Sequence, residues 1–331
     1  MDIIFPDPKN KDALSIYKES DNGKMIIAGK RYDYSSENLS SALIKEFYYS
    51  NGIFAGFEDE ISRNVKTKIK NKNKKTEIMG ILNATPDSFF DGSRINSKKM
   101  IDHMIDIKPD IIDIGGESTR PGSVEVDPET EFSRIRDILE YIKSVSDIPV
   151  SLDSRHYETV EKAMNYGIDY INDISGFDDA RMVNLAKSTG VKCVVMHMKG
   201  TPQTMGKFTE YDNIFAEINM FFYNRINSMV KNGIAPENII LDPGIGFSKN
   251  FHGNTDIIRS PWSFFIGFDT LFGTSRKSVI GRVTGSDIED RIGGTVATSI
   301  YLNKNGVDII RVHDVVPNRD AIKMYQYIEG H

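Results

Sequence analysis

Cysteine and long apolar stretches are scarce in this sequence, and their scarcity excludes several classes of protein. One cysteine, Cys193, stands among the 331 residues, so no disulfide can form within the chain. It lies in a mostly apolar run, and we expect a buried, unreactive side chain. No stretch of about 20 apolar residues occurs, so no membrane-spanning helix is expected. The first residues carry Asp2, Pro6 and Pro8 instead of the basic start and apolar block of a signal peptide, which predicts a cytoplasmic protein.

The excess of one charge sign over the other is small as well. The net charge of −6 gives the whole molecule no electrostatic bias towards nucleic acid or membrane, so neither is expected as a partner. The exception is Lys66–Lys75, which holds six lysines and is interpreted as a solvated linker rather than a nucleic-acid tether. We therefore predict a small α/β N-terminal extension with its linker, residues 1–75, followed by a larger domain, residues 76–331. Within the extension, the pattern predicts a strand at Lys24–Ala28 and a helix at Ser41–Tyr49, but no function.

Short apolar runs recur after the linker, and most are separated by stretches with helical periodicity. That periodicity is clear at Glu129–Lys143, His156–Asn165 and Ile214–Val230. Alternation of strands and helices favours a parallel sheet closed into a (β/α)8 TIM barrel over an open doubly wound sheet. The eight predicted strands are Ile78–Leu82, Ile111–Ile114, Val150–Leu152, Tyr170–Ile174, Cys193–Met196, Ile239–Leu241, Thr270–Phe272 and Ile309–Val312.

Each apolar run ends in or carries polar residues or glycine. Turns and helix caps explain many such residues, but they do not require Arg120, Lys277, Arg311 or His313. The carboxyl ends of the strands of a TIM barrel meet at one mouth, where active sites lie. The segments expected there are Asn83–Phe89, Gly115–Gly122, Asp153, Asn172–Asp173, His197, Asp242–Gly244, Gly273–Ser278 and Arg311–Asp314.

Two chemical groups emerge from these segments. Asp153, Asn172, Asp242 and Lys277 supply carboxylates, an amide and an ammonium, a set that can match a flat heterocycle with an amidine-like edge. The second group, Thr119, Arg120, Arg311 and His313, is expected to form a cationic anion site. Asn83 could add an oxygen ligand to a divalent ion that bridges phosphates.

Five segments together carry a resemblance. The motifs NATPDSF, GGESTRPG, DPGIGF, GTSRKS and RVHD, in this order over about residues 77 to 329, are similar to the signature segments of the dihydropteroate synthase family. The resemblance implies a folate-biosynthesis transferase that joins 6-hydroxymethyl-7,8-dihydropterin pyrophosphate to p-aminobenzoate. It also implies Mg²⁺ as cofactor, a homodimer and sensitivity to sulfonamides as a drug target.

The resemblance also implies roles for individual residues. Asp153, Asn172, Met196, Asp242, Phe247 and Lys277 would bind the pterin, while Asn83, Arg311 and His313 would hold the pyrophosphate and its Mg²⁺. Thr119, Arg120, Pro121 and Phe89 would lie on two loops that close over the substrates, and Ser278 would meet the aminobenzoate carboxylate. The residues expected to act in the chemistry itself are Asp153, Lys277, Arg120, Arg311 and His313.

The sequence departs from the family in a few places and leaves alternatives open. Ser248 stands before Lys249 where family members often have glycine, and the aromatic stretch Phe251–Phe268 is expected to form a helix face that takes part in the dimer. His197 is expected to face the mouth in a secondary polar role. The alternatives are the same chemistry with another arylamine, a pterin-binding methyltransferase, or a non-catalytic pterin binder.

Overall fold

Part of the N-terminal extension forms a small antiparallel sheet. The computed structural model describes residues 2–19, 25–27, 32–33, 75–84, 94–120 and 122–330. The central strand of this sheet pairs with each of the other three. The strands are β1 (Asp2–Asp7), β2 (Asn10–Glu19), β3 (Met25–Ile27) and β4 (Tyr32–Asp33). The strand predicted at Lys24–Ala28 is therefore present as β3, whereas the helix predicted at Ser41–Tyr49 lies outside the described residues.

The remainder of the described chain is a closed barrel of eight parallel strands, as predicted. Each strand pairs with its neighbour in sequence, and β12 closes the ring on β5. Every predicted strand coincides with an observed one to within one residue at each end. The strands are β5 (Glu77–Asn83), β6 (Ile111–Gly115), β7 (Val150–Asp153), β8 (Tyr170–Asp173), β9 (Lys192–Met196), β10 (Ile239–Asp242), β11 (Asp269–Phe272) and β12 (Ile309–Val312).

Helices connect the barrel strands on the outside, and their ends follow local capping rules. Asp127 accepts a hydrogen bond from the backbone N–H of Thr130, and Pro128 occupies the first turn, so a helix starts there. Another helix ends at Gly190, whose φ of 70° only glycine adopts without strain. The helices are α1 (Arg94–Asp106), α2 (Pro128–Val145), α3 (Tyr157–Met164), α4 (Ala180–Thr189), α5 (Ile214–Lys231), α6 (Phe251–Arg259), α7 (Ser278–Thr284), α8 (Ile292–Lys304) and α9 (Val315–Ile328).

The barrel interior consists of an apolar layer below a polar one. Successive side chains of a strand point to opposite faces, so residues two apart share the interior. Ile111 therefore precedes Asp113, Tyr170 precedes Asn172, and Ile240 precedes Asp242. The apolar layer consists of Met79, Ile111, Tyr170, Val194, Ile240, Leu271 and Ile309, all buried. It closes the barrel from below and supports the polar residues that follow.

The N-terminal strands pack directly on the barrel. Phe5 on β1 is 0% exposed and belongs to the main apolar core. The indole Nε1 of Trp262 donates a hydrogen bond of 3.0 Å to the backbone oxygen of Asp7. The hydroxyl of Ser260 donates one of 2.7 Å to the backbone oxygen of Pro8. The extension thus covers the turn that follows α6.

These contacts correct the prediction for Phe251–Phe268. Only Phe251–Arg259 is α-helical, and Pro261–Phe264 forms a 3-10 turn. Phe264 is 0% exposed and Phe268 is 3% exposed, so aromatic rings of this stretch pack into the core rather than form an open helix face. The prediction failed because an aromatic stretch looks the same in sequence whether it faces solvent or the protein's own N-terminal strands.

Two further expectations can be compared with the described residues. Cys193 is buried, as predicted. No helix in the described part of the chain is long and apolar enough to span a membrane.

Phe5→Ala should destabilise the whole protein because it leaves a cavity in the main core. We expect a loss of about 3–5 kcal/mol, which thermal denaturation and the urea midpoint would detect. Phe208→Ala is the matched control, since that ring is 46% exposed and its removal should cost much less. Equal stability of Phe5→Ala and the wild type would mean that the extension contributes nothing to the barrel's stability.

Candidate active site

A pocket opens at the carboxyl ends of the barrel strands. Its wall combines polar groups from β7, β8, β10 and β12 with apolar groups from β9 and the loop after β10. The lining residues are Thr119, Asp153, Asn172, Ile174, Met196, Asp242, Ile245, Phe247, Gly273, Lys277 and Arg311. The structure therefore brings together all six residues predicted to bind a pterin, together with Thr119 and Arg311.

Arg311 is the centre of the polar layer. Its Nε lies 2.6 Å from Oδ2 of Asp113, and its Nη2 lies 2.6 Å from Oδ2 of Asp153. Asp113 is fully buried and also accepts a hydrogen bond of 3.3 Å from the amide of Asn172. One guanidinium thus joins β6, β7 and β12 and neutralises charge in the barrel interior.

The charge state of the pocket carboxylates is sensitive to burial. Burial raises the pKa of Asp153 to about 7, although Arg311 and Lys277 oppose the rise. Burial likewise raises the pKa of Asp242 to about 6 against the opposing effect of Gly244, Lys277, Lys249 and Arg311. The second oxygen of Asp153, Oδ1, is buried without a hydrogen-bond partner among the described residues. A buried acceptor without a partner is costly, so this oxygen is suited to a donor supplied by a ligand.

Lys277 reaches the pocket from the N-cap of α7. The preceding Arg276 has a left-handed φ of 56°, and its guanidinium is bound to Asp314 at 2.8 and 3.0 Å. This turn directs the Lys277 ammonium to the ring of Phe247, 4.3 Å from its centroid. Burial and the neighbouring Arg311 lower the pKa of Lys277 to about 8. The ammonium is therefore a charged donor at neutral pH.

His313 lies near Lys277, and the charge of its ring differs from the prediction. Its Nδ1 is 3.1 Å from the hydroxyl of Ser275, and burial, with Arg311 and Arg276, lowers its pKa to about 4. The ring is therefore neutral at pH 7, which corrects the expectation of three cations at an anion site. Because the charge of Arg311 is shared with two carboxylates, Arg120 and Lys277 supply most of the available positive charge.

The loop after β6 is held at its base. Glu117 accepts a hydrogen bond from the backbone N–H of Val126 and pairs with Arg155 at 3.4 Å. Farther along, the backbone N–H of Gly122 donates to the carbonyl of Pro202 at 3.0 Å, which ties this loop to the loop after β9. Thr119 is half-buried in the pocket wall, and Arg120 is exposed at its edge.

The remaining predicted site residues lie farther out. Asn83 is half-buried at the end of β5, and Ser278 is exposed in the first turn of α7. Pro121 and Phe89 lie outside the described residues. His197, expected to face the mouth, is not among the residues that line the pocket; it is 3% exposed and packs edge-on against Phe221, with ring centroids 5.1 Å apart.

The donor set around Asn83 fits a magnesium ion only in company with a ligand. Among the described residues, no group of three or more His, Cys, Asp or Glu could hold a metal ion. Mg²⁺ usually binds one or two protein oxygens and completes its shell with water and substrate phosphates. A single amide oxygen at the end of β5 is consistent with that arrangement.

Sequence reasoning missed Asp113, Ile174 and Ile245. Asp113 had a detectable signal, since it is a charged residue inside the apolar strand IIDIG and must have a buried partner. Ile174 and Ile245 had none, because apolar residues are ordinary at strand ends.

Comparison with known proteins gives one consistent result. The family model described as "Pterin binding enzyme" matches residues 79–313. The dihydropteroate synthase of Clostridium beijerinckii is 42% identical over 271 residues, which cover 80% of this chain and 98% of that protein. The dihydropteroate synthase of Clostridium difficile, solved in the presence of pteroic acid, has a TM-score of 0.72 and 38% identity, covering 78% and 97% of the two chains. That of Yersinia pestis, solved with a sulfonamide, has a TM-score of 0.73 and 32% identity, covering 78% and 96%.

Arg311→Met should destabilise the protein in a pH-dependent way. Removing the guanidinium leaves Asp113 and Asp153 buried without their cation, at a cost of about 3–5 kcal/mol when both are ionised. A carboxyl whose pKa is raised in the fold binds a proton there that it releases on unfolding, so this cost grows as pH rises towards and above 7. Thermal denaturation should therefore show a larger deficit at pH 8 than at pH 5.5.

The double variant Arg311→Met with Asp113→Asn is the control for charge. It removes one of the two carboxylates along with the cation and should recover part of the loss at pH 8. A deficit that is the same at both pH values would contradict the ion-pair explanation and indicate a loss of packing alone.

Proposed function

This chain belongs to the dihydropteroate synthase family of pterin-binding enzymes, and we propose that its pocket joins 6-hydroxymethyl-7,8-dihydropterin pyrophosphate to p-aminobenzoate. The products are 7,8-dihydropteroate and pyrophosphate. The observation that carries the proposal is the convergence of Asp153, Asn172, Asp242 and Lys277 on one pocket, with a buried oxygen of Asp153 that has no partner among the described residues.

The pterin matches the polar wall of this pocket. A pterin presents an amino group and ring N–H groups as donors, and ring nitrogens and a carbonyl oxygen as acceptors. Asp153 and Asp242 accept from the donors, while Asn172 and Lys277 can donate to the acceptors. Met196 and Phe247 supply apolar surface for the flat ring, and both line the pocket.

The reaction is a displacement at the pterin methylene carbon. The bond from this carbon to the pyrophosphate oxygen breaks, and the oxygen keeps the electron pair. Positive charge then develops on the pterin, where Asp153 stabilises it. The lone pair of the arylamine nitrogen forms the new carbon–nitrogen bond, and the amine releases a proton. No nucleophile from the protein is required.

Pyrophosphate departs towards the end of β5 and the loop after β6. Arg120 and Lys277 stabilise its charge. The part of the Arg311 guanidinium that does not contact Asp113 or Asp153 adds to this stabilisation, and neutral His313 is a hydrogen-bond donor. Asn83 would hold Mg²⁺ together with the pyrophosphate oxygens. When bound, the ion would supply charge neutralisation for the leaving group.

The p-aminobenzoate acceptor would lie at the outer edge of the pocket. Ser278 is exposed and directly follows the pocket residue Lys277, so its hydroxyl would donate to the acceptor carboxylate. The two loops that the family resemblance assigns to Thr119, Arg120, Pro121 and Phe89 would cover the acceptor and exclude water, which would otherwise capture the cation. A sulfonamide that mimics the acceptor should occupy the same place. A substituted arylamine is the alternative acceptor that this arrangement also accommodates.

We also propose that the protein is a cytoplasmic homodimer. Helices α7–α9 and the turn before α8 expose a set of large apolar side chains, and α8 packs along α9. Large apolar side chains exposed on neighbouring helices favour an interaction face, and a second copy of the chain is the partner that the family suggests. The exposed residues are Val283, Ile288, Ile292, Tyr301, Met324, Tyr327 and Ile328.

Purified protein supplied with the pterin pyrophosphate, Mg²⁺ and p-aminobenzoate should form dihydropteroate and pyrophosphate in equal amounts. Lys277→Ala should abolish this turnover. Arg120→Ala should reduce it by about 100-fold, since one stabilising group for the leaving charge is lost. Simultaneous measurement of both products by liquid chromatography and a pyrophosphate-coupled assay provides the test.

Lys231→Ala, an exposed residue at the end of α5, is the control and should retain full activity. A sulfonamide should raise the KM for p-aminobenzoate without changing the maximal rate. Tight pterin binding without dihydropteroate formation would reject p-aminobenzoate as the acceptor, and normal turnover by Arg120→Ala would reject the role of that loop.

Tyr327→Glu should weaken the proposed dimer. The side chain is 78% exposed on α9, so the change should leave the folded monomer intact while it places a charge in the apolar face. Light scattering coupled to size-exclusion chromatography should show a dimer for the wild type and a monomer for the variant. A monomeric wild type at micromolar concentration would contradict the dimer.

A further inference from the structure

A second lysine is buried close to the pocket, and the proposed chemistry does not use it. Lys249 follows the loop after β10 and is 7% exposed. It does not line the pocket. A buried ammonium is unfavourable unless each of its three protons has an acceptor, so its position requires an explanation.

The Lys249 ammonium has three acceptors. Its Nζ lies 2.9 Å from the carbonyl oxygen of Phe247, 3.3 Å from the carbonyl oxygen of His197 and 3.1 Å from Nδ1 of the His197 ring. Burial, together with Lys249 and Lys199, keeps the pKa of His197 well below its usual range, so the ring is neutral and Nδ1 can accept. The three protons of the ammonium are therefore all matched.

These acceptors belong to two separate segments of the pocket wall. His197 follows β9, and its backbone N–H donates to the carbonyl of Asp242 at 2.9 Å. Gly244 passes so close that a Cβ there would lie 2.2 Å from the His197 carbonyl oxygen, and its φ of 71° also favours glycine. Phe247 ends this turn and carries the ring against which Lys277 lies.

We propose that Lys249 is a positioning residue of the pterin pocket. Its ammonium holds the turn from Asp242 to Phe247 against the end of β9. This turn fixes the Asp242 carboxylate and the Phe247 ring. Through that ring it also fixes the Lys277 ammonium. This inference rests on the proposed pterin-binding function, which it deepens.

The charge of Lys249 also acts on Asp242. The charged groups that face Asp242 are Lys277, Lys249 and Arg311, and each favours its ionised form. The charged groups that face Lys249 are Asp242, Lys199 and Lys277, and the His197 ring faces it as well. Burial lowers the pKa of Lys249 to about 7, so below that pH the ammonium is present and holds the turn. Without it, Asp242 should accept a proton at higher pH than in the wild type.

The test compares Lys249→Met with the wild type in two measurements. Hydrogen exchange of the peptide that covers residues 242–250, in ligand-free protein at pH 6, should be faster in the variant. Calorimetric titration with the dihydropterin pyrophosphate should show affinity weaker by about tenfold, as expected when charge-assisted hydrogen bonds are lost. As pH falls from 8 to 5, the loss of affinity should begin about one pH unit higher than in the wild type.

Lys192→Met is the matched control, because Lys192 is a half-buried lysine at the opposite end of β9 and donates to the Tyr170 hydroxyl at 3.1 Å. It should leave exchange, affinity and pH profile unchanged. Lys249→Gln, which keeps a donor but no charge, should restore part of the exchange protection and retain the shifted pH profile. If Lys249→Met does not fold, Lys249→Gln replaces it in both measurements.

If hydrogen exchange at residues 242–250 is as slow in Lys249→Met as in the wild type, the role of Lys249 is overturned, whatever ligand binds. The same outcome in Lys249→Gln decides the question if only that variant folds. Faster exchange with unchanged affinity and pH profile would overturn it as a determinant of pterin binding. A wild type that binds no dihydropterin pyrophosphate would instead reject the proposed function, and the exchange data would still decide whether Lys249 holds the turn.

Discussion

The arrangement of the site depends on one buried arginine shared by two carboxylates. Arg311 lies within 2.6 Å of both Asp113 and Asp153, in the interior of a barrel where an isolated charge of either sign would be strongly unfavourable. This contact sets the charge of the whole pocket. It lets Asp153 approach ionisation near neutral pH, reduces the positive charge available from Arg311 itself, and contributes to keeping His313 neutral.

Because the sheet is closed into a barrel, alternate side chains of its strands point into a common interior. The apolar layer and the polar layer come largely from the same strands, two residues apart, so Asp113, Asn172, Asp242 and Arg311 each follow a packed apolar side chain of their own strand. Asp153, Asn172, Met196 and Asp242 are held on strands, while Phe247, Lys277, Thr119, Arg120 and Ser278 come from segments outside them.

Sequence reasoning reached the barrel and most of the central pocket because both follow from short-range patterns. Apolar runs locate the strands, and charged residues directly after them locate the mouth. It failed where the answer depends on long-range pairing. Asp113 looked like part of an apolar strand, and its partner Arg311 lies 198 residues away. Most of the aromatic stretch Phe251–Phe268 was expected to form a helix face, because nothing local indicates that Asp7 and Pro8 cover the turn after Arg259. The neutral state of His313 depends on burial and on the proximity of Arg311 and Arg276, and the motifs that contain these residues show neither the burial nor the distances.

The contact between Trp262 and Asp7 has a practical consequence. Trp262 is the single tryptophan of the sequence, and its indole bonds to the backbone of the N-terminal strand β1. Intrinsic fluorescence excited in the indole band therefore comes from the seam between extension and barrel. It is absent from the pocket wall, since no tryptophan lines the pocket. The emission spectrum is thus a natural optical probe of whether the extension is docked, recorded without any label and independently of the chemistry at the barrel mouth.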